Sequence, residues 1–357
     1  MNEISESHEL ANQILANKKQ LAQTVTDLHL QAHPQWIERF GEMGKLRCFE
    51  DTMYHIEYLA EAIKLQSPPL FNHYLEWAWQ MLTARNIHKD DLKANIAFLS
   101  QAISKQFDEQ ERTVQEINRY LQAGIHHLEK LQPNIETWLK EENPLHHEAT
   151  TYLNFLLQGK RRQAAEHIDE LVKQGHKVGD LYEHIFQVTQ YEVGVRWQRN
   201  EITVAHEHYC TAATQLIMSR LYPLIFSGAK KGNTMVACTV VDELHEIGIR
   251  MVSDFFEMDG WDTYYLGSNM PVTHLLQLLE EYNADLLALS VTLPKHVGKL
   301  EELIRVVRAK KTFENVKIMV GGYPFAVIPG LADQVGADAT ATSAREAVKT
   351  ANAMVNK

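Results

Sequence analysis

The chain has 357 residues, 45% of them apolar and 23% charged, which suits a globular protein and exceeds what one compact domain usually holds. A net charge of −11 argues against a surface built to track phosphates, so direct DNA binding is not expected. Three widely separated cysteines (Cys48, Cys210, Cys238) exclude a disulfide framework and suit a reducing, cytoplasmic setting, and no apolar run reaches the roughly 18–20 residues of a membrane span.

Up to about residue 230 the pattern is helical, with apolar residues at three- and four-residue spacing and few Gly or Pro. The stripe Ile56, Leu59 and Ile63 stops at Ser67-Pro68-Pro69, and LFNHYLEWAWQML comes at once after it. Further helices are predicted over Asp90–Phe107 and from Glu109 to about Leu131. Pro133 and Pro144, with charged residues between them, mark a break, which places a domain boundary near residues 140–148. A second helical block reads as Glu148–Gln158, Arg161–Gln174, Val178–Asn200 and Val204–Phe226, with Gly159, Gly175 and Ser227-Gly228 at helix ends. Four helices with tight links predict a four-helix bundle.

From Thr234 the character changes. TMVACTVV, DTYYLG, ADLLALSVT, VKIMVGG and ADATATS are β-type runs that alternate with amphipathic helices, as in a parallel sheet of the flavodoxin-like α/β class. The expected organisation is multidomain: an all-α domain at 1–145, a helical block at 148–230 and an α/β domain at 233–357.

In an open parallel sheet, ligands sit beyond the carboxyl ends of the strands. There the sequence places Glu243-Leu244-His245-Glu246-Ile247-Gly248, then Ser290-Val291-Thr292, then Gly321-Gly322. The 18 histidines direct attention to imidazole ligation, and His245 has a carboxylate, Glu243, placed to orient its ring. Gly321 and Gly322 let a bulky group approach the backbone, while Ser290 and Thr292 offer short polar contacts.

At these residues the chain resembles the cobalamin-binding fold, which carries D/E-x-H-x-x-G, a serine segment and a glycine pair in this order. The resemblance covers nearly all of residues 233–357. It implies that Glu243, His245 and Gly248 form the cobalt-binding loop, with His245 the lower axial ligand of cobalt. It also implies that the nucleotide tail of the cofactor lies in a slot beside Ser290, Thr292, Gly321 and Gly322. Glu243 stands where methionine synthase has aspartate; glutamate there is more like the light-sensing members.

Trp197, Glu207 and His208 make a W-x9-E-H pattern that resembles the four-helix cap of cobalamin photoreceptors related to the CarH repressors. In that family the tryptophan packs over the upper face of the corrin and the Glu-His pair lines the same pocket. The residue after the tryptophan is Gln198 where the DNA-binding relatives have a histidine. Capture of cobalt from above would then fall to His206, His208 or water.

Residues 1–145 resemble the globin-like domain of photocobilins, on Cys48 to Ala60 and Pro69 to Trp79. That resemblance implies biliverdin in an aromatic slot lined by Tyr54, His55, Trp77 and Trp79, with Arg47 and Arg85 as cations for its propionates; the alternative is that these aromatics are core. Haem at His55 or His73 is a lesser option, and Cys48 is read as a buried structural thiol. His126-His127 and His146-His147 read as solvated, and His206-x-His208-x-Cys210 lacks a fourth zinc ligand. No GxSxG, P-loop or HExxH motif supports a hydrolase or NTPase.

The expected function is a non-enzymatic light sensor, in which photolysis of methyl- or adenosylcobalamin drives a signal to a protein partner, tuned by a bilin, in a homo-oligomer such as a dimer. The alternatives are a corrinoid shuttle protein that presents methylcobalamin to methyltransferases, and a cobalamin sensor indifferent to light.

Overall fold

The computed structural model describes residues 3–132, 136–226 and 229–355; Pro133, Ser227 and Gly228, expected to punctuate the chain, lie outside the described residues. The chain divides into two compact units, residues 1–134 and 135–357. Among the described residues no helix is long and apolar enough to cross a membrane.

The first unit is helical: α1 (Glu3–Ala16), α2 (Lys18–Ala32), α3 (Gln35–Lys64), α4 (Pro68–Thr83), α5 (Lys89–Gln106) and α6 (Glu111–Lys130). The Pro68-Pro69 pair starts α4 because proline's fixed φ and missing N–H suit the first turn. Asp91 caps α5 by accepting the His88 N–H at 3.0 Å. Ile117, Leu121, Gly124 and Leu128 repeat at helical spacing on α6 and are buried. At Gly124, α6 crosses α4 so closely that a Cβ would stand 2.5 Å from Leu75 Cδ1. Only glycine allows that approach.

Two histidines inside this unit stay neutral. His55 shares a hydrogen bond of 2.7 Å between Nδ1 and the Tyr74 hydroxyl, and burial pushes its pKa down to about 3. His29 has both ring nitrogens buried without a hydrogen-bond partner; burial first, and then the neighbouring His33, push it down to about 4. Unfolding lets each take up a proton at an ordinary value near 6.5, so each removes stability as pH falls from about 6.5 to its folded value, by ~1.4 kcal/mol per pH unit. Asp51 works the other way: burial raises its carboxyl to about 6, so below that pH it offsets one histidine. Acidification from pH 7 to 5 should therefore weaken the helical unit. In denaturant melts His55→Gln should flatten that dependence and Asp51→Asn should steepen it; identical slopes in all three proteins would refute the assignment.

The second unit opens with α7 (His146–Leu157), α8 (Arg161–Lys173), α9 (Val178–Leu181), α10 (Val188–Gln198), α11 (Val204–Arg220) and α12 (Tyr222–Ile225). Two predicted helices are interrupted. A π-helical turn, Tyr182–Gln187, lies between α9 and α10, and the expected helix to Phe226 breaks at Leu221, just before Pro223.

The α/β part comes next: β1 (Thr234–Thr239), α13 (Ile247–Met258), β2 (Asp262–Tyr265), α14 (Val272–Glu281), β3 (Leu286–Ser290), α15 (Val297–Arg308), β4 (Lys317–Gly321), α16 (Tyr323–Val327), α17 (Leu331–Gln334), β5 (Ala339–Thr340) and α18 (Ala344–Val355). All pairs are parallel, in the order β2-β1-β3-β4-β5. That order is the doubly wound one, with its switch point between β1 and β3. β1 and β3 are buried almost throughout, as expected of strands covered on both faces.

Helix α13 is shared by two cores. Met251 and Phe255 pack with the helices before the sheet, while Ile249 and Phe256 pack with the strands. The Tyr182 hydroxyl donates to Asp254 Oδ2 at 2.8 Å, and Arg345 bridges Asp180 and Glu183 at 2.5 Å each.

Candidate cobalamin site

Register aligns the expected residues. Thr239 at the end of β1 pairs with Ser290 at the end of β3, and Ser290 pairs with Gly321 at the end of β4. The three sequence motifs therefore leave the sheet side by side, at and next to the switch point, where ligands bind in this topology.

The loop after β1 is held by the side chains of Thr239 and Asn269. The Thr239 hydroxyl donates to the Glu243 carbonyl at 2.6 Å and accepts the Asn269 N–H at 3.0 Å, while the Asp242 N–H donates to Asn269 Oδ1 at 2.9 Å. Asp242 and Asn269 have φ of 68° and 58°, a left-handed turn that Asp and Asn tolerate.

Glu243 is the centre of the site, its side chain 0% exposed. Oε1 accepts the His245 backbone N–H at 3.1 Å and its ring Nδ1–H at 2.5 Å. Oε2 accepts the N–H groups of Thr292 and Leu293 at 2.9 and 3.0 Å and Nδ1–H of His296 at 3.2 Å. Burial alone would raise this carboxyl. Hydrogen bonds from His245, His296 and Leu293 more than offset it and hold the group well below the usual carboxylate range.

His245 is the complement of its partner: its side chain is 53% exposed. With Nδ1 committed to Glu243, Nε2 makes no hydrogen bond among the described residues. The Glu243 hydrogen bond raises the pKa of the ring against the opposing effect of burial, and the charge of Glu207 adds to the rise. An anchored, outward-facing, electron-rich imidazole of this kind is the donor a borderline metal such as cobalt takes.

The glycines of the site differ in the room around them. A Cβ on Gly248 or Gly321 would meet nothing within 4 Å, whereas one on Gly322, at φ +104°, would meet the Val291 carbonyl oxygen at 2.0 Å. Ser290 is buried and Thr292 half-buried in the loop that Glu243 holds.

From the helical block, Glu207 and His208 reach this side at the start of α11, and Glu207 is near enough to act on His245 electrostatically. α11 meets the sheet domain through Gln215 Nε2, which donates to Glu246 Oε1 at 2.9 Å, and through the Ser219 hydroxyl, which accepts from Arg250 at 2.7 Å. His208 pairs through Nδ1 with Glu207 Oε2 at 2.5 Å. His206, expected to be able to reach the upper position, instead caps α11, its Nδ1 2.8 Å from the Thr203 hydroxyl. Trp197 is half-buried in the last turn of α10 and Gln198 is buried beside it.

The residues expected to line a bilin slot lie on α3 and α4. His55 and Trp79 are core residues with partners in place: the Tyr74 hydroxyl for His55, and Lys89 Nζ 4.2 Å over the ring of Trp79. Tyr54 and Trp77 are 50% and 36% exposed. Trp77 and His55 both lie against Tyr74, with ring centroids 6.4 and 5.7 Å from it. Arg47 pairs with Glu50, and Cys48 is buried with its thiol pushed up to about 11 by burial. Among the described residues no cluster of three or more His, Cys, Asp or Glu is arranged to hold a metal ion.

Sequence reasoning missed His296, Thr239 and Asn269. None carries a motif; each becomes visible only when loops from different strands are seen together.

Comparison with known proteins agrees with this geometry. Two family models match, each described as a B12 binding domain, over residues 149–222 and 233–350. Dimethylamine corrinoid protein 3 of Methanosarcina mazei is 28% identical over 166 residues, 46% of this chain and 98% of that protein. A corrinoid protein of Desulfitobacterium hafniense is 28% identical over 172 residues, 46% of this chain and 77% of its own length. The structure of the Methanosarcina barkeri monomethylamine corrinoid protein shares the fold, with a TM-score of 0.53 at 22% identity over 58% of this chain and 98% of that one. These names overturn the expectation of a light-driven sensor with a bilin and a signalling partner, because the relatives are corrinoid proteins named for methylamines. Two adjacent B12 binding domains, at residues 149–222 and 233–350, make this chain a cobalamin-binding protein.

Proposed function

We propose that the chain is a corrinoid carrier that holds cobalamin between the helical block, residues 148–230, and the α/β domain, residues 233–357, and presents a methyl group to methyltransferase partners. The observation that carries the reading is the Glu243–His245 pair, a buried carboxylate that fixes a half-exposed imidazole with Nε2 left unbonded. The names of the relatives support methyl carriage and make methylated amines the first donors to test.

Bound cobalamin supplies a cobalt centre able to take up and release a methyl group. His245 would hold that metal through Nε2, and Glu243 keeps the ring in the Nδ1–H tautomer. Ser290 and Thr292 would give polar contacts to the cofactor, and Gly321 and Gly322 would leave it room. Gly248 keeps the start of α13 clear. Trp197, Glu207 and His208 of the helical block would border the cofactor and limit water there. Residues 1–134 form a helical module of their own attached to this carrier.

His245→Ala tests the assignment. Methylcobalamin added to the variant should show the absorption of the imidazole-free form, and its affinity should drop by more than the ~10- to 100-fold that loss of an outer partner costs. Unchanged colour and affinity would remove the proposal.

A further inference from the structure

We propose that His296 is a positioning residue for His245: it donates from Nδ1 to the second oxygen of Glu243 and so locks the carboxylate that aims the cobalt-binding ring. This rests on the reading of His245 as the lower ligand.

His296 closes the 3-10 turn Pro294–His296, directly after the loop from β3, and is buried. Its own N–H donates to the Leu293 carbonyl at 2.9 Å, which seats the ring beneath that loop. Nδ1 lies 3.2 Å from Glu243 Oε2, and an ionised carboxylate only accepts, so Nδ1 carries the hydrogen. One carboxylate thus joins two imidazoles from different loops, His245 on Oε1 and His296 on Oε2.

The two backbone donors on Oε2, Thr292 and Leu293, are adjacent in sequence and approach from one loop. His296 adds a donor from a separate side chain, so the carboxyl plane is fixed from more than one direction. That plane sets where the Nδ1–H of His245 must point, and hence where Nε2 faces. If His296 only filled space, a leucine of similar bulk would serve as well.

The experiment compares His296→Leu and His296→Ala, which remove the donor, with His296→Asn, whose Nδ2 can stand in the place of Nδ1. Thermal melts of the apoproteins show which variants are folded, and methylcobalamin titrations tracked by absorbance give affinity and the imidazole-bound fraction. The donor-less variants should bind ~10- to 100-fold more weakly, with the spectrum shifted toward the imidazole-free form, and His296→Asn should restore both. A folded donor-less variant with unchanged affinity and spectrum overturns the proposal, as does an Asn variant no better than the donor-less ones. His245→Ala in parallel separates the two claims. If it changes the spectrum while the donor-less His296 variants do not, the role of His296 falls and the ligand assignment stands. If His245→Ala changes nothing, the ligand assignment itself falls.

Discussion

Glu243→Ala should lower the unfolding free energy of the 135–357 unit by ~3–5 kcal/mol, the cost of breaking a buried charged network from one side. Four residues donate to this one carboxylate: His245, Thr292, Leu293 and His296. Alanine leaves their N–H groups without the acceptor they share, and an unmet donor is expensive where it is buried, as at His296. Cobalamin binding should be lost with it, because both loops at the switch point are tied to this side chain. Glu243→Gln is the sharper control. It keeps the volume but turns one acceptor into an NH2 group, so hydrogen faces hydrogen on one side of the site. We expect glutamine to be nearly as damaging as alanine in urea melts. A glutamine variant as stable as the parent would show that the carboxylate's charge and acceptor count do not matter here.

Gly322→Ala is the second large effect. Its backbone sits at φ +104°, and the added methyl would lie 2.0 Å from the oxygen and 2.8 Å from the carbon of the Val291 carbonyl. Neither atom belongs to a flexible side chain, so β3 and β4 must part at their ends. Strain of ~1–3 kcal/mol and overpacking of a similar ~1–3 kcal/mol put the loss at roughly 2–6 kcal/mol. Gly321→Ala next to it should behave differently, since its Cβ meets nothing within 4 Å. Stability should be kept and methylcobalamin affinity reduced, because the methyl enters the space left for the cofactor. Equal melting temperatures for the parent and both variants would contradict the geometry at this strand end.

The sequence was most informative where chemistry and topology coincide. Glu243, His245, Ser290 and the glycine pair each come after or at the end of a β-type run, and the parallel register then sets them in a row. The same rule could not reveal His296, which reaches Glu243 from 53 residues away through a short turn with no fixed spacing. In the first unit, periodicity decides which side chains face the core. On α3 the buried stripe runs through Thr52, His55, Ile56, Tyr58, Leu59, Ala62 and Ile63, with Tyr54 at its exposed border. On α4 it runs through Leu70, Phe71, Tyr74, Leu75, Ala78, Trp79 and Leu82, which leaves Trp77 off as well. The π-helical turn at Tyr182–Gln187 had no such signal, because an extra residue in a helix changes no composition and only rotates the turns beyond it.

Helix α13 begins two residues after His245 and offers one side to the strands and the other to the helices that precede them. Neither B12 binding domain therefore owns a complete interior. Severed from its neighbour, the sheet half would expose Met251 and Phe255 to solvent, and the helical half would lose the aromatic that fills the space by Tyr182. Unfolding of the helices and of the sheet is therefore coupled through the helix that starts next to the imidazole loop.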